Sequence, residues 1–262
     1  MVKIETLERP GAILSYLDTG RHGRALVLVH GAGVDRGMWA PQLDTLGAAG
    51  HRVIAVDLRG HGASTLDPGV RVTASDLLDD LVALLQHLAL PSPVLVGHSL
   101  GGNLAQALVR RHPALAGGLV AIDCTWNTGP LTALDRLGLR IAAPSLALVP
   151  ARLLPGLMAS ASAVTPDAVA ALELMFARMP KARFLDVWRA TTARVDPEPG
   201  YRTPVPLTLV RGARDRTGNI ATAMPAWARA EGVAEHVIAD AGHVPTLDAP
   251  DAVTAILREA AR

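Results

Sequence analysis

The chain has 262 residues, half of them hydrophobic and 19% charged, with a formal net charge of +1. So even a charge balance excludes functions that depend on a strong field, nucleic-acid binding and adsorption to anionic membranes among them. One cysteine, Cys124, excludes an internal disulfide and fits a reducing compartment.

The length suits one large α/β domain with a sizeable core. The first six residues, Met1 to Thr6, place a charge at Lys3 and Glu5 where a secretory signal needs an apolar run. The longest apolar region, 141–164, is interrupted by Pro144, Pro150, Arg152 and Pro155, so no membrane span is expected. A cytoplasmic protein is the expectation.

In chain order, Ile4–Leu7 and Ile13–Asp18 read as an opening hairpin about Arg9-Pro10-Gly11. Ala25–Val29 is a short, wholly apolar run, as in a strand buried on both faces. Met38 to Ala49 reads as a helix and Val53–Val56 as the next strand. Thr73 caps a helix to about Leu88, with Asp76 as its capping partner. Val94–Val96 is again a buried strand, and Leu100–Arg111 a helix stopped by Pro113. Leu119–Ile122, Leu207–Val210 and Ala234–Ile238 complete the strands, and Asp251–Ala261 closes the chain as a helix. This alternation predicts a mostly parallel, eight-stranded sheet flanked by helices.

Residues 127–201 break the alternation. They hold helical patterns divided by Pro144, Pro150, Pro155, Pro166 and Pro180, and no convincing strand. Ligands of open α/β sheets bind beyond the carboxyl ends of the strands. The stretch is therefore expected to form a helical cap over a core of residues 1–126 and 202–262; it also reads as cover for one sheet face.

The motif richest in chemistry is Gly97-His98-Ser99-Leu100-Gly101, between a strand and a helix. A serine hydroxyl is a poor nucleophile and must be presented to a base and to an anion-stabilising site. A sharp strand-to-helix turn does both, and it requires small neighbours at Gly97 and Gly101. The backbone amide of Leu100 is one expected oxyanion donor. The amide of Ala32, in the loop His30-Gly31-Ala32-Gly33 after a buried strand, is the other. His30 and His98 read as structural, His98 pointing away from the serine and bonding locally. His243, in Ala241-Gly242-His243 after the last strand, is the expected base. Asp215, after Leu207–Val210, is the expected orienting acid and Asp123 its rival; the order Ser99, Asp215, His243 suits this architecture.

Together these residues resemble the α/β-hydrolase superfamily, in its branch of esterases, lactonases and cofactor-free haloperoxidase-like enzymes. Trp39, Asp57-Leu58-Arg59-Gly60-His61-Gly62-Ala63-Ser64 and Asp248-Ala249-Pro250 are further points of resemblance. The resemblance implies the α/β-hydrolase fold, a structural role for Asp57–Ser64, and hydrolysis without a cofactor. Epoxide hydrolases and haloalkane dehalogenases of this fold carry an aspartate where Ser99 stands, which disfavours those reactions.

Ser99, His243 and Asp215 point to cleavage of a carboxylic ester, lactone or thioester through an acyl-Ser99 intermediate. Perhydrolysis, carbon–carbon bond hydrolysis and slow-turnover ligand sensing are the alternatives. Trp126, Trp188, Met158 and Met175 are candidate pocket walls. Leu139, Leu146, Leu154, Leu157, Leu174 and Met179 would suit an apolar pocket or the cap's own core. The cap arginines Arg136, Arg140, Arg183 and Arg189 read as solvated. No metal-ligand spacing, phosphate loop or dinucleotide fingerprint is present, so no metal or cofactor is expected. The expected partner is a small-molecule substrate; a homo-oligomer remains open.

Overall fold

The computed structural model describes residues 3–262; Met1 and Val2, part of the N-terminal stretch read above, lie outside the described residues. The chain opens with the hairpin β1 (Lys3–Arg9) and β2 (Ala12–Asp18), turned at Pro10-Gly11 with Gly11 in the left-handed region. Then come β3 (Ala25–Val29), β4 (Arg52–Val56) and the two-residue β5 (Thr65–Leu66). They are followed by β6 (Val94–His98), β7 (Gly118–Ile122), β8 (Leu207–Gly212) and β9 (Glu235–Ile238). The sheet order is β1-β2-β4-β3-β6-β7-β8-β9, with β5 paired beside β2. From β4 to β9 every neighbour pair is parallel, while β2 pairs antiparallel with β1, β4 and β5. The eight expected strands form the sheet. The ninth, β5, is too short to leave a periodic signal.

Successive side chains of a strand point to opposite faces, and the central strands use both. Val27 and Val29 of β3, Leu95 of β6, and Leu119 and Ala121 of β7 feed one core. Leu26 and Leu28, Val94 and Val96, and Val120 and Ile122 feed the other. One face is covered by α2 (Ala74–Leu88), α3 (Leu100–Arg111) and α8 (Ile220–Glu231). The opposite face is covered by α1 (Ala40–Ala48) and α10 (Pro250–Ala260). Thr73 caps α2 by accepting from the Asp76 amide at 3.2 Å.

The expected helix from Met38 divides in two. Asp35 accepts from Gly37 N at 2.8 Å and starts a 3-10 turn over Arg36–Trp39; α1 begins only at Ala40, with Pro41 in its first turn. Between β7 and β8 lie α4 (Ala133–Leu148), α5 (Leu154–Ser162), α6 (Pro166–Ala177) and α7 (Lys181–Thr192), without a strand. The prolines act unequally. Pro155 and Pro166 sit in first turns, where a missing N–H costs nothing, and Pro180 is the N-cap of α7. Pro144 lies on an exposed position inside α4 without ending it. A short α9 (Pro245–Asp248) precedes α10. No helix among the described residues is long and apolar enough to cross a membrane.

Arg59 joins the loop after β4 to α2. Its Nε and Nη2 reach the two oxygens of Asp80 at 2.6 and 2.7 Å, and both side chains are at most 3% exposed. Arg9 Nε also reaches Asp80 Oδ1 at 3.0 Å, so removing Arg59 leaves the buried Asp80 carboxylate with one partly exposed cation in place of two. Arg59→Met should lower stability by about 3 kcal/mol, read as a drop in the urea midpoint at unchanged slope.

Candidate active site

The site is assembled from four loops at the carboxyl ends of the parallel strands. Ser99 joins β6 to α3 with φ 52° and ψ −117°, a left-handed conformation that is costly for a residue with a side chain. The turn closes because Gly97 lies against the Gly101 carbonyl and Gly101 against the Val29 carbonyl, where a Cβ on either glycine would collide with backbone. Leu100 heads α3 with its side chain buried in the core. The first amides of a helix have no intrahelical acceptor, so those of α3 are available beside Ser99.

The Ser99 Oγ lies 3.1 Å from His243 Nε2, and His243 Nδ1 lies 3.0 Å from Asp215 Oδ2. Asp215 Oδ1 accepts from the Thr217 amide at 2.7 Å. Burial opposes ionisation of Asp215, but the contact with His243 outweighs it and holds the carboxyl well below the usual carboxylate range. Asp123 is the opposite case: burial, then the charge of Asp215 and a hydrogen bond to it, push its pKa well above the carboxylate range. The Gly212 amide donates to both Asp123 oxygens, at 3.0 and 3.1 Å. Two adjacent buried carboxyls cannot both carry charge cheaply, so Asp123 is the protonated partner behind Asp215. Donor atoms of Asp123, Asp215 and His243 lie within 4.8 Å of one another. A cation there would have to take the His243 Nδ1 and Asp215 oxygens that already bond each other.

Three neutral histidines set the loops around Ser99. His30 Nε2 accepts from Leu58 N at 3.0 Å, and its Nδ1 donates to Gly31 O at 2.7 Å. His61 Nε2 accepts from Gly33 N at 3.3 Å, and its Nδ1 donates to Arg59 O. Together they tie the loop carrying Ala32 to the loop after β4. His98, expected to bond locally, instead donates from Nε2 to the carbonyl of His243, 2.6 Å away and 145 residues on in the chain. Burial lowers the pKa of all three, that of His98 to about 3. In the Asp57–Ser64 segment, Asp57 accepts from Arg36 N and Nη1 and from Ala63 N, while Ser64 Oγ donates to Asp57 O, a structural use in keeping with expectation. Asp248 accepts from the amides of Gly242, Val164 and Thr165, and so links the His243 loop to the segment between α5 and α6.

Two chambers meet at Ser99, and Ala32, Trp188 and Thr217 line both. The first, about 490 Å³, also has His243, Met158, Phe176, Arg214 and Arg216 in its wall. The second, about 470 Å³, is lined by Leu134, Asp135, Leu139, Ala142, Ile220 and others. A third cavity, about 250 Å³, lies away from Ser99 between α3 and residues 193–203.

Of the expected walls, Met158 and Trp188 are present. Trp126 and Met175 line neither chamber. Trp126 is stacked on Trp227 of α8, with ring centroids 6.4 Å apart, and Met175 packs toward the 3-10 turn at Gly37. Leu139 lines the second chamber, whereas Leu157 and Leu174 are exposed. Arg183, expected to be solvated, is half-buried and donates to Gly60 O. Arg214, Arg216 and Thr217 escaped the sequence reading although they flank Asp215, whose place in a site loop was the available signal.

A family model described as the alpha/beta hydrolase family matches residues 26–256. With the fold and the turn at Ser99 described above, the class is settled: the chain belongs to the alpha/beta hydrolase family. Among curated relatives, the protein named "Putative carbamate hydrolase RutD" in Variovorax paradoxus (strain S110) is 42% identical over 107 residues, 40% of this chain and 39% of that one. Bifunctional epoxide hydrolase 2 of Rattus norvegicus is 34% identical over 106 residues, 40% of this chain and 19% of that one. The chain thus spans about two fifths and one fifth of these relatives. A thermophilic esterase from Thermogutta terrifontis, solved with malate bound, superposes with a TM-score of 0.79 at 29% identity, covering 98% of this chain and 96% of that one. The enol-lactonase of Burkholderia xenovorans LB400 superposes at 0.81 with 23% identity, covering 97% and 98%, a likeness of fold.

The lowered histidine pKa values carry a sign. Below about pH 6.5 the unfolded chain takes up protons at His30, His61 and His98 more readily than the folded chain, so stability falls as pH falls, by up to about 1.4 kcal/mol per unit for each until its lowered folded pKa is reached. Asp123 acts oppositely, being protonated when folded and ionised when unfolded above pH 3.8, and offsets one such contribution. Urea midpoints taken from pH 7 to 4.5 should fall steadily, and His98→Gln should flatten the decline.

Proposed function

We propose that the chain is a serine hydrolase cleaving a carboxylic ester, lactone or thioester with a largely apolar acyl part, through an acyl-Ser99 intermediate. The observation that carries this reading is the continuous hydrogen-bonded line from Ser99 Oγ through His243 to Asp215. His243 Nε2 takes the Ser99 proton as Oγ bonds to the substrate carbonyl carbon, and the amides of Ala32 and Leu100 bind the resulting oxyanion. The tetrahedral adduct collapses, the carbon–oxygen or carbon–sulfur bond breaks, and the imidazolium returns its proton to the leaving group. Water then repeats the sequence on the acyl-serine and releases the acid. Asp215 holds the Nδ1–H tautomer and stabilises the imidazolium, with Asp123 as its protonated neighbour.

We further read residues 127–201 as a cap over this site, because side chains of α4, α5 and α7 complete the chamber walls. The esterase from Thermogutta terrifontis supports ester substrates. The aspartate nucleophile of epoxide hydrolases has no counterpart at Ser99. One buried cysteine suits a cytoplasmic setting.

The test is release of p-nitrophenol from esters of increasing acyl length. Wild type should turn over repeatedly, and Ser99→Ala should lose about 10⁶-fold in kcat. Asp215→Asn should lose about 10⁴-fold, while Asp123→Asn, which keeps a donor toward Asp215, should stay within about tenfold of wild type. No turnover of any ester, or an equally active Ser99→Ala, overturns the reading.

A further inference from the structure

We propose that the chamber containing His243 receives an anionic leaving group and that Arg216 is its specificity-determining residue. The substrates are then esters or thioesters joining an apolar acyl group to an alcohol or thiol that bears a carboxylate or similar anion. The inference rests on the reading of Ser99 as nucleophile and adds which side of the scissile bond carries charge.

The chambers are inequivalent in two independent ways. The first is the position of the base. His243 lines one chamber and not the other. A leaving group must take its proton from His243 Nε2, so it departs on the His243 side, and the acyl chain occupies the chamber lined by Leu134, Leu139, Ala142 and Ile220.

The second is charge. Arg214 and Arg216 line the His243 chamber with no carboxylate beside them in its wall, whereas the acyl chamber holds Asp135 and no cation. The buried charge of Asp215 would by itself repel an anion next to His243; a free guanidinium on the same loop offsets it. The two arginines differ in availability. Arg214 Nη2 is engaged by Asp240 at 3.2 Å, while Arg216 has no ion-pair partner among the described residues. The backbone that carries it is fixed from both sides, since Asp215 before it holds His243 and Thr217 after it donates its amide to Asp215, while the Arg216 side chain is exposed along the chamber wall. A guanidinium so placed offers two parallel N–H donors to a carboxylate.

The experiment compares 3-butanoyloxybenzoate with neutral 3-butanoyloxybenzamide, and mono-p-nitrophenyl glutarate with p-nitrophenyl butanoate, on wild type and Arg216→Gln. For the first pair, the anionic-to-neutral ratio of kcat/KM should fall about tenfold in the variant, and in wild type it should shrink as salt rises. For the second pair, whose charge sits on the acyl side, the ratio should change less than about twofold. An unchanged first ratio overturns the proposal, as does a fall confined to the second.

A binding measurement separates this result from the fate of the nucleophile. Calorimetric titration of Ser99→Ala with 3-hydroxybenzoate and 3-hydroxybenzamide should favour the anion, and Ser99→Ala/Arg216→Gln should lose that preference. If no ester is turned over, the nucleophile reading fails alone when this preference is present; its absence removes the anion site as well.

Discussion

Everything near the chemistry depends on how tightly the backbone reverses at Ser99. The reversal sets a left-handed serine between a strand and a helix whose first turn presses against the end of β3. Strain of this kind persists only where the surroundings over-determine it. Here the surroundings are five-residue strands buried along their whole length, β6 between β3 and β7, which leave α3 one place to start. The side chain that results stands at the carboxyl end of β6 within hydrogen-bond reach of His243.

The loops that meet Ser99 are held by groups whose protonation matters. His30 and His61 act as acceptors for backbone amides, a role a protonated imidazole cannot play, and burial keeps them neutral. His98 fastens the carbonyl of His243 from beneath. Asp248 then ties that same loop to the segment between α5 and α6, so part of the helical insertion shares a support with His243. Positioning of His243 is therefore a property of several loops together.

The paired carboxyls behind His243 show how burial divides two chemically identical groups. Asp215 keeps its charge because an imidazole and the Thr217 amide face it, and Asp123 gives up its charge because Asp215 is already ionised. The same logic extends outward. Arginines on the loop after β8 line the chamber beside His243, and the opposite chamber holds Asp135 and no cation.

How much of this was legible in the sequence follows from the range of the interactions. The buried strands, α2, α3 and the nucleophile turn are local: each is written in a run of apolar residues, a cap such as Thr73, or glycines at fixed offsets, and their bounds agree with the structure within a residue or two. The choice of Asp215 over Asp123 drew on chain order, and the structure supplies the distances. The rest was decided between distant segments. Trp126 turned from the pocket to Trp227, Met175 to Gly37, and His98 to a carbonyl 145 residues away, because packing partners on other elements set a side chain's direction and sequence spacing does not carry them. The chambers belong to this second kind, since walls drawn from four loops and an inserted run of helices exist only once the sheet has brought them to one edge.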